Sequence, residues 1–267
     1  MGIRVMSWNP QHYPRGRGQV SLSVSDRLAV VTFDNPGAKN AMSVGMMADV
    51  VRIINELEQA DVSVVLLRGA PGGGFCSGGD LKDVRRYLMN PEAAAGMPIV
   101  MGDALDRLAS LPSVIVAAVE GAALGGGAEL VTTADWAIAG ADAQVGFVHA
   151  SLGVAPGWGG GGRLVRKLGH RLAMPILVGA RKMTAAQAAD VGLVDEVVPS
   201  GDAEGAARVW IERVLSMPPE AVTGAMRILR AGRDAPDSMA KVERDVFQEL
   251  WGGPAHCRAL GGVKAGA

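Results

Sequence analysis

Short apolar runs alternate with stretches of helical period through most of the chain, and polar or glycine-rich punctuation separates them. Val20 to Ser25 and Leu28 to Phe33 flank Asp26-Arg27, which predicts a tight hairpin. Asp34-Asn35-Pro36-Gly37 is a strong turn signal, and Ser43 is placed to cap a helix running to about Ala60. Val62 to Arg68 and Val114 to Val119 are continuous and β-branched, as expected of strands buried on both faces. Asp80 suits the N-cap of a helix through Lys82 to Tyr87, Pro91 to Gly96 reads as a loop, and Ile99 to Ser110 as a helix. Further strands are expected at Asp135 to Ala139, Ala143 to Val148 and Val194 to Val198. Helices are expected at Leu164 to Leu168, at Leu172 to Val178, and from a Thr184 cap through Ala185 to Asp190.

The pattern changes after Pro199. Amphipathic runs at Ala203–Ser216, Pro219–Ala231 and Asp237–Leu250 make the remainder wholly helical. The fold class is therefore α/β: a mixed core over residues 20–200 and a helical region over 201–267. Residues 1–19 carry Arg4, Arg15 and Arg17 with no acidic residue, and read as a flexible N-terminal extension.

Composition narrows the function. At 267 residues with 49% hydrophobic and 20% charged positions, the chain has ample material for a core. A formal net charge of −1 speaks against a broad nucleic-acid footprint. No apolar run approaches the roughly 18 residues of a membrane span, and the start lacks the apolar segment of a signal peptide, so a cytoplasmic protein is expected. Cys76 and Cys257 are too few for a disulfide framework and have no zinc-ligand spacing, so no metal is expected.

The candidate chemistry sits in three glycine-rich loops at Gly72–Gly79, Gly125–Gly127 and Gly153–Gly162, each between a strand and a helix. Such loops let backbone N–H groups approach a ligand closely, and Glu129 lies about one turn into the helix after the second. The dinucleotide fingerprint is absent after the first long strand, where Asn35-Pro36-Gly37 stands, and so is the phosphate-loop Gly-Lys-Ser/Thr. Ser77 is not in a nucleophile elbow, because Phe75 stands two residues before it. Cys76 has no visible base beside it and reads as a small packed residue.

Four segments in order, NPGAKNAMS (Asn35–Ser43), FCSGGDL (Phe75–Leu81), EGAALGGGAEL (Glu120–Leu130) and GVAPGWGGGGRL (Gly153–Leu164), resemble the crotonase, or enoyl-CoA hydratase/isomerase, superfamily. The resemblance covers roughly residues 20 to 250. It implies a spiral of ββα turns, C-terminal helices that build homotrimers or hexamers, and a coenzyme A thioester as substrate. It also implies an oxyanion hole from the backbone N–H groups of Ser77 and Gly126, with Lys39, Cys76, Gly78, Asp80, Gly125 and Trp158 along the substrate. Reactions beside a thioester carbonyl pass through an enolate, and one fixed N–H donor to its oxygen can be worth about 3–4 kcal/mol.

Hydratases of this family use two catalytic glutamates. Glu129 fills the first position here, while the second falls at His149. Phe147-Val148-His149, Trp158 and Leu250-Trp251-Gly252-Gly253-Pro254-Ala255 resemble the ethylmalonyl-CoA decarboxylase branch. That branch implies loss of CO2 from a short 2-alkylmalonyl-CoA without metal or organic cofactor, since the thioester itself accepts the electrons. Glu129 and His149 are then the candidate catalytic residues. Two other readings stay open: an enoyl-CoA hydratase or isomerase using the same pair, and a non-catalytic member of the family that only binds. Trp158 either walls the acyl pocket or packs in the core.

Overall fold

The computed structural model describes residues 8–234 together with Asp245, Phe247 and Pro254. The expected helix Asp237–Leu250, the segment Leu250–Ala255 and Cys257 lie wholly or largely outside the described residues.

Strands β1 (Gln19–Ser25) and β2 (Leu28–Asp34) form the expected hairpin, with Ser25 paired to Leu28 and Asp26 taking the left-handed turn at φ 51°. Helix α1 (Val44–Leu57) starts at Ser43, whose hydroxyl accepts the Met46 N–H at 3.2 Å. Then come β3 (Val64–Gly69), the single turn α2 (Leu81–Asp83), a π-helical turn at Val84–Leu88, and α3 (Pro91–Ser110). The chain continues through β4 (Val114–Val119), β5 (Ala122–Leu124), α4 (Gly126–Val131), β6 (Trp136–Gly140) and β7 (Gln144–Gly146). A 3₁₀ turn at Val148–Leu152 leads to α5 (Gly160–Val178), which Gly169 at φ 75° breaks into the two expected pieces. It ends with β8 (Lys182–Thr184), α6 (Ala185–Asp190), β9 (Glu196–Val198), α7 (Ala203–Leu215) and α8 (Pro219–Asp234).

Six strands form the main sheet in the order β1-β2-β3-β4-β6-β9, all parallel from β2 onward, and β5-β7-β8 form a small second sheet. Alternate side chains of the main sheet enter two cores. Val31, Val65, Ile115 and Ala137 pack with α1 and α3 on one face. Val30, Leu66, Val116 and Ile138 pack with Ala207 and Ile211 of α7 and Met226 of α8 on the other. Burial on both faces is why these strands read as unbroken apolar runs. It also makes α7 the second layer of the core, so residue 200 marks a change in composition and not a gap in packing. Glu120 pins this layer: its carboxylate accepts the Ala203 N–H at 2.8 Å and the Gly201 N–H at 3.1 Å.

Two expectations fail. Pro91–Gly96 is the start of α3 and not a loop: Asn90 caps the Ala93 N–H at 2.9 Å, and Pro91 sits where a helix needs no N–H. The N-terminal extension is also not loose where it is described, since Trp8 is 1% exposed and packs in the main core.

Candidate active site

The loop after β3 is clamped from two sides. Cys76 bridges to β5, its N–H donating to Ala122 O at 2.9 Å and its carbonyl accepting the Leu124 N–H at 3.0 Å. On the other side Met42 N–H donates to Gly78 O at 2.7 Å, and Asp80 N–H to Met42 O at 2.9 Å. Gly78 sits at φ 98°, and a Cβ there would lie 2.9 Å from Leu124 O and 3.4 Å from Gly126 N. The first two glycine loops therefore touch backbone to backbone, an approach that only glycine permits.

Of the two expected donors, Ser77 is engaged within the chain and Gly126 is not. Ser77 N–H is spent on Lys39 O at 3.1 Å, and its hydroxyl donates to Ala38 O at 3.1 Å. Ser77 therefore fastens one loop to another through both its N–H and its hydroxyl. Two residues on, the N–H of Gly79 meets no acceptor among the described residues, and neither does that of Gly126, the first residue of α4. Gly79 is half-buried.

Glu129 projects from α4 and is 1% exposed. Its Oε2 accepts the N–H groups of Trp158 and Gly160, each at 2.8 Å, and its Oε1 accepts that of Gly157 at 3.3 Å. His149, in the 3₁₀ turn after β7, brings Nε2 to 3.1 Å from the same Oε1. An ionised carboxylate only accepts, so the imidazole proton of this contact is assigned to Nε2. The other ring nitrogen, Nδ1, is buried and has no partner among the described residues. His149 also lies beside the second glycine loop, 3.9 Å from where a Cβ of Gly125 would be.

Trp158 is 4% exposed, and its indole lies against the Cα of Gly126, where any side chain would overlap the ring. This is core packing with a purpose, because it sets the position of the loop backbone. Beneath it lies Arg163, which sequence reading passed over although it stands in the GGGGRL segment. Its side chain is 4% exposed and donates to Trp158 O at 2.6 Å, to Thr132 Oγ1 at 3.1 Å and to Asp106 of α3. Burial holds its pKa below the usual arginine value, and Asp106 counters part of that shift.

The other expected substrate residues fall out as follows. Cys76 is fully buried, desolvation pushes its thiol up to about 12, and both its backbone groups are bonded, so it offers a substrate nothing. Asp80 accepts the Lys82 N–H at 2.8 Å as the cap of α2. Lys39 is exposed, in the left-handed region at φ 54°, at the rim beside Ser77. Gly125, at φ 54°, turns the chain from β5 into α4. Among the described residues no group of three or more His, Cys, Asp or Glu is arranged to hold a metal ion, and no helix is long and apolar enough to cross a membrane.

Residues 23–252 match the enoyl-CoA hydratase/isomerase family model. The chain belongs to that family. It is 40% identical over 255 residues to ethylmalonyl-CoA decarboxylase of Danio rerio, covering 93% of this chain and 84% of the relative. The Mus musculus protein of the same name is 35% identical over 244 residues, covering 90% and 75%. Among solved structures, an enoyl-CoA hydratase from Bacillus anthracis superposes with a TM-score of 0.84 at 27% identity, covering 91% of this chain and 94% of the other. The fold is thus shared with an enoyl-CoA hydratase, while the identity is higher to the two proteins named ethylmalonyl-CoA decarboxylase.

Proposed function

We propose that this family member decarboxylates a short 2-alkylmalonyl-CoA, of the ethylmalonyl- or methylmalonyl-CoA type. The observation that carries the reading is the Glu129–His149 pair, with Nε2 on Oε1 and Nδ1 buried without a partner among the described residues. Hydration wants two proton-transfer groups free to handle water and the α-carbon. Here both oxygens of Glu129 are taken by three backbone N–H groups and His149. Glu129 is better suited to hold His149 and the Gly157–Gly160 loop than to carry protons.

In this reading the N–H groups of Gly79 and Gly126 receive the thioester oxygen. The bond between the α-carbon and the carboxylate breaks, its electron pair moves into the thioester, and CO2 departs. The resulting enolate oxygen stays on the two donors, where fixed dipoles act without reorganising. A proton from water then adds to the α-carbon to give the saturated acyl-CoA, leaving hydroxide that the released CO2 takes up as bicarbonate. His149 stands where a second glutamate would repel the departing carboxylate, and replacing that negative charge with an imidazole removes the repulsion. The route needs no metal or organic cofactor, because the thioester supplies the electron sink. The family resemblance extends the reading to a homotrimer or hexamer, which light scattering tests.

The deciding experiment is mass spectrometry of products from methylmalonyl-, ethylmalonyl- and crotonyl-CoA. CO2 loss from the malonyl thioesters and little hydration is the expected result. Brisk hydration with no CO2 release would overturn it in favour of a hydratase.

A further inference from the structure

Residues 8–18 meet the fold at several points, two of which are glycines inside helices. Trp8 packs on Gly96 of α3, where a Cβ would overlap the Trp8 side chain. The Arg15 carbonyl lies against Gly45 of α1, where a Cβ would overlap it as well. Glycine in a helix costs up to about 1 kcal/mol relative to alanine, so both positions give up helix stability in order to admit this segment. Between them Tyr13 packs on Trp8 with ring centroids 6.0 Å apart, and edge-on against Tyr87 at 5.8 Å. Tyr87 belongs to the π-helical turn Val84–Leu88 that follows the first glycine loop. Arg15 closes the far end on Asp49 at 2.7 Å, although its own exposure makes that pair a weak contributor.

What the segment holds borders the site. The residue after Gly96 is Met97, and a Cβ on Gly157 would lie 4.0 Å from Met97 Cε and 3.8 Å from Pro98 Cγ. Gly157 N–H in turn donates to Glu129 Oε1, the oxygen shared with His149. One line of contacts therefore runs Trp8, Gly96, Met97, Gly157, Glu129, His149.

We propose that residues 8–18 form a strap, anchored by Trp8, that positions Met97 as the wall limiting the length of the acyl group. The proposal rests on a thioester occupying the site, but not on which reaction follows. Trp8 is a positioning residue that acts through α3. Met97, half-buried and unbranched, meets the end of the 2-alkyl substituent. A strap of this kind turns a contact remote from the chemistry into a limit on substrate size.

The test measures Kd for butyryl- and hexanoyl-CoA by calorimetry on the full chain and on Trp8→Ala, Trp8→Phe, Met97→Ala and Ile211→Ala. Ile211 lies in the core on the opposite face of the sheet and serves as the control for stability alone. Trp8→Ala and Met97→Ala should each shift the ratio of the two Kd values toward the longer chain by about tenfold, the lower end of what a methylene decides in an apolar pocket. Trp8→Phe should restore most of the ratio, and Ile211→Ala should lower the melting temperature without moving it. A ratio unmoved in Met97→Ala, or a Trp8→Ala that melts lower with the ratio intact, overturns the proposal. Should Trp8→Ala fail to fold, Met97→Ala decides alone. A shifted ratio without CO2 release from malonyl thioesters would leave the strap standing and remove the decarboxylase. CO2 release with an unmoved ratio would do the reverse.

Discussion

His149 Nε2 lies 3.1 Å from an oxygen of Glu129 that also accepts the Gly157 N–H, so the imidazole and the Pro-Gly-Trp-Gly loop are held by one carboxylate. Glu129→Gln keeps the shape but turns an NH2 group toward backbone donors. It should destabilise the fold by about 1–3 kcal/mol, the cost of leaving buried donors unpaired. Activity should fall by about 100-fold, the range lost when a group that positions the site is disturbed. Thermal melts and kcat measured together check this. Normal melting with normal turnover would show that the pair does neither job.

Gly126 and Trp158 provide a second test. Because the indole covers the Cα of Gly126, Gly126→Ala must displace either the ring or the donor N–H. Its kcat should fall by about 100-fold, the scale of one lost oxyanion donor. Adding Trp158→Ala opens the space and should recover part of that loss, giving a coupling of about 0.5–3 kcal/mol in a double-mutant cycle. Additive losses would mean that the two residues do not act through each other.

The pH dependence of stability should carry a signature from Glu204 on α7, which pairs with Arg68 of β3 and with Arg208. Partial burial pushes its carboxyl up, but the two guanidinium groups outweigh this and hold it below the ordinary glutamate value. A carboxylate lowered in this way favours the folded state above its unfolded pKa, and the advantage is lost as acid protonates it in the native protein. Glu204→Gln should therefore unfold more easily at neutral pH by at most about 1 kcal/mol, since the group is substantially exposed. The gap should close below pH 4.5. A gap that persists in acid would assign the effect to packing.

Much of this could be read from the order of residues alone. The long strands, the Ser43 and Thr184 caps, the break at Gly169 and the glycine loops are local matters, set by side-chain period, cap chemistry and backbone freedom within a few positions. Glu129 and His149 were legible because they stand in short segments resembling a known family. The strands β5 and β8 were not legible, since Ala122–Leu124 and Lys182–Thr184 are too short and too weakly strand-forming to signal themselves, and exist by pairing with β7. The bond from Ser77 N–H to Lys39 O at 3.1 Å spans 38 positions of chain, and no local pattern signals it. Trp8 looked like part of a loose tail because nothing near it in sequence needs it. Its partner is Gly96, and only the folded chain brings that glycine against the Trp8 Cβ and backbone, since burial depends on which distant surfaces meet.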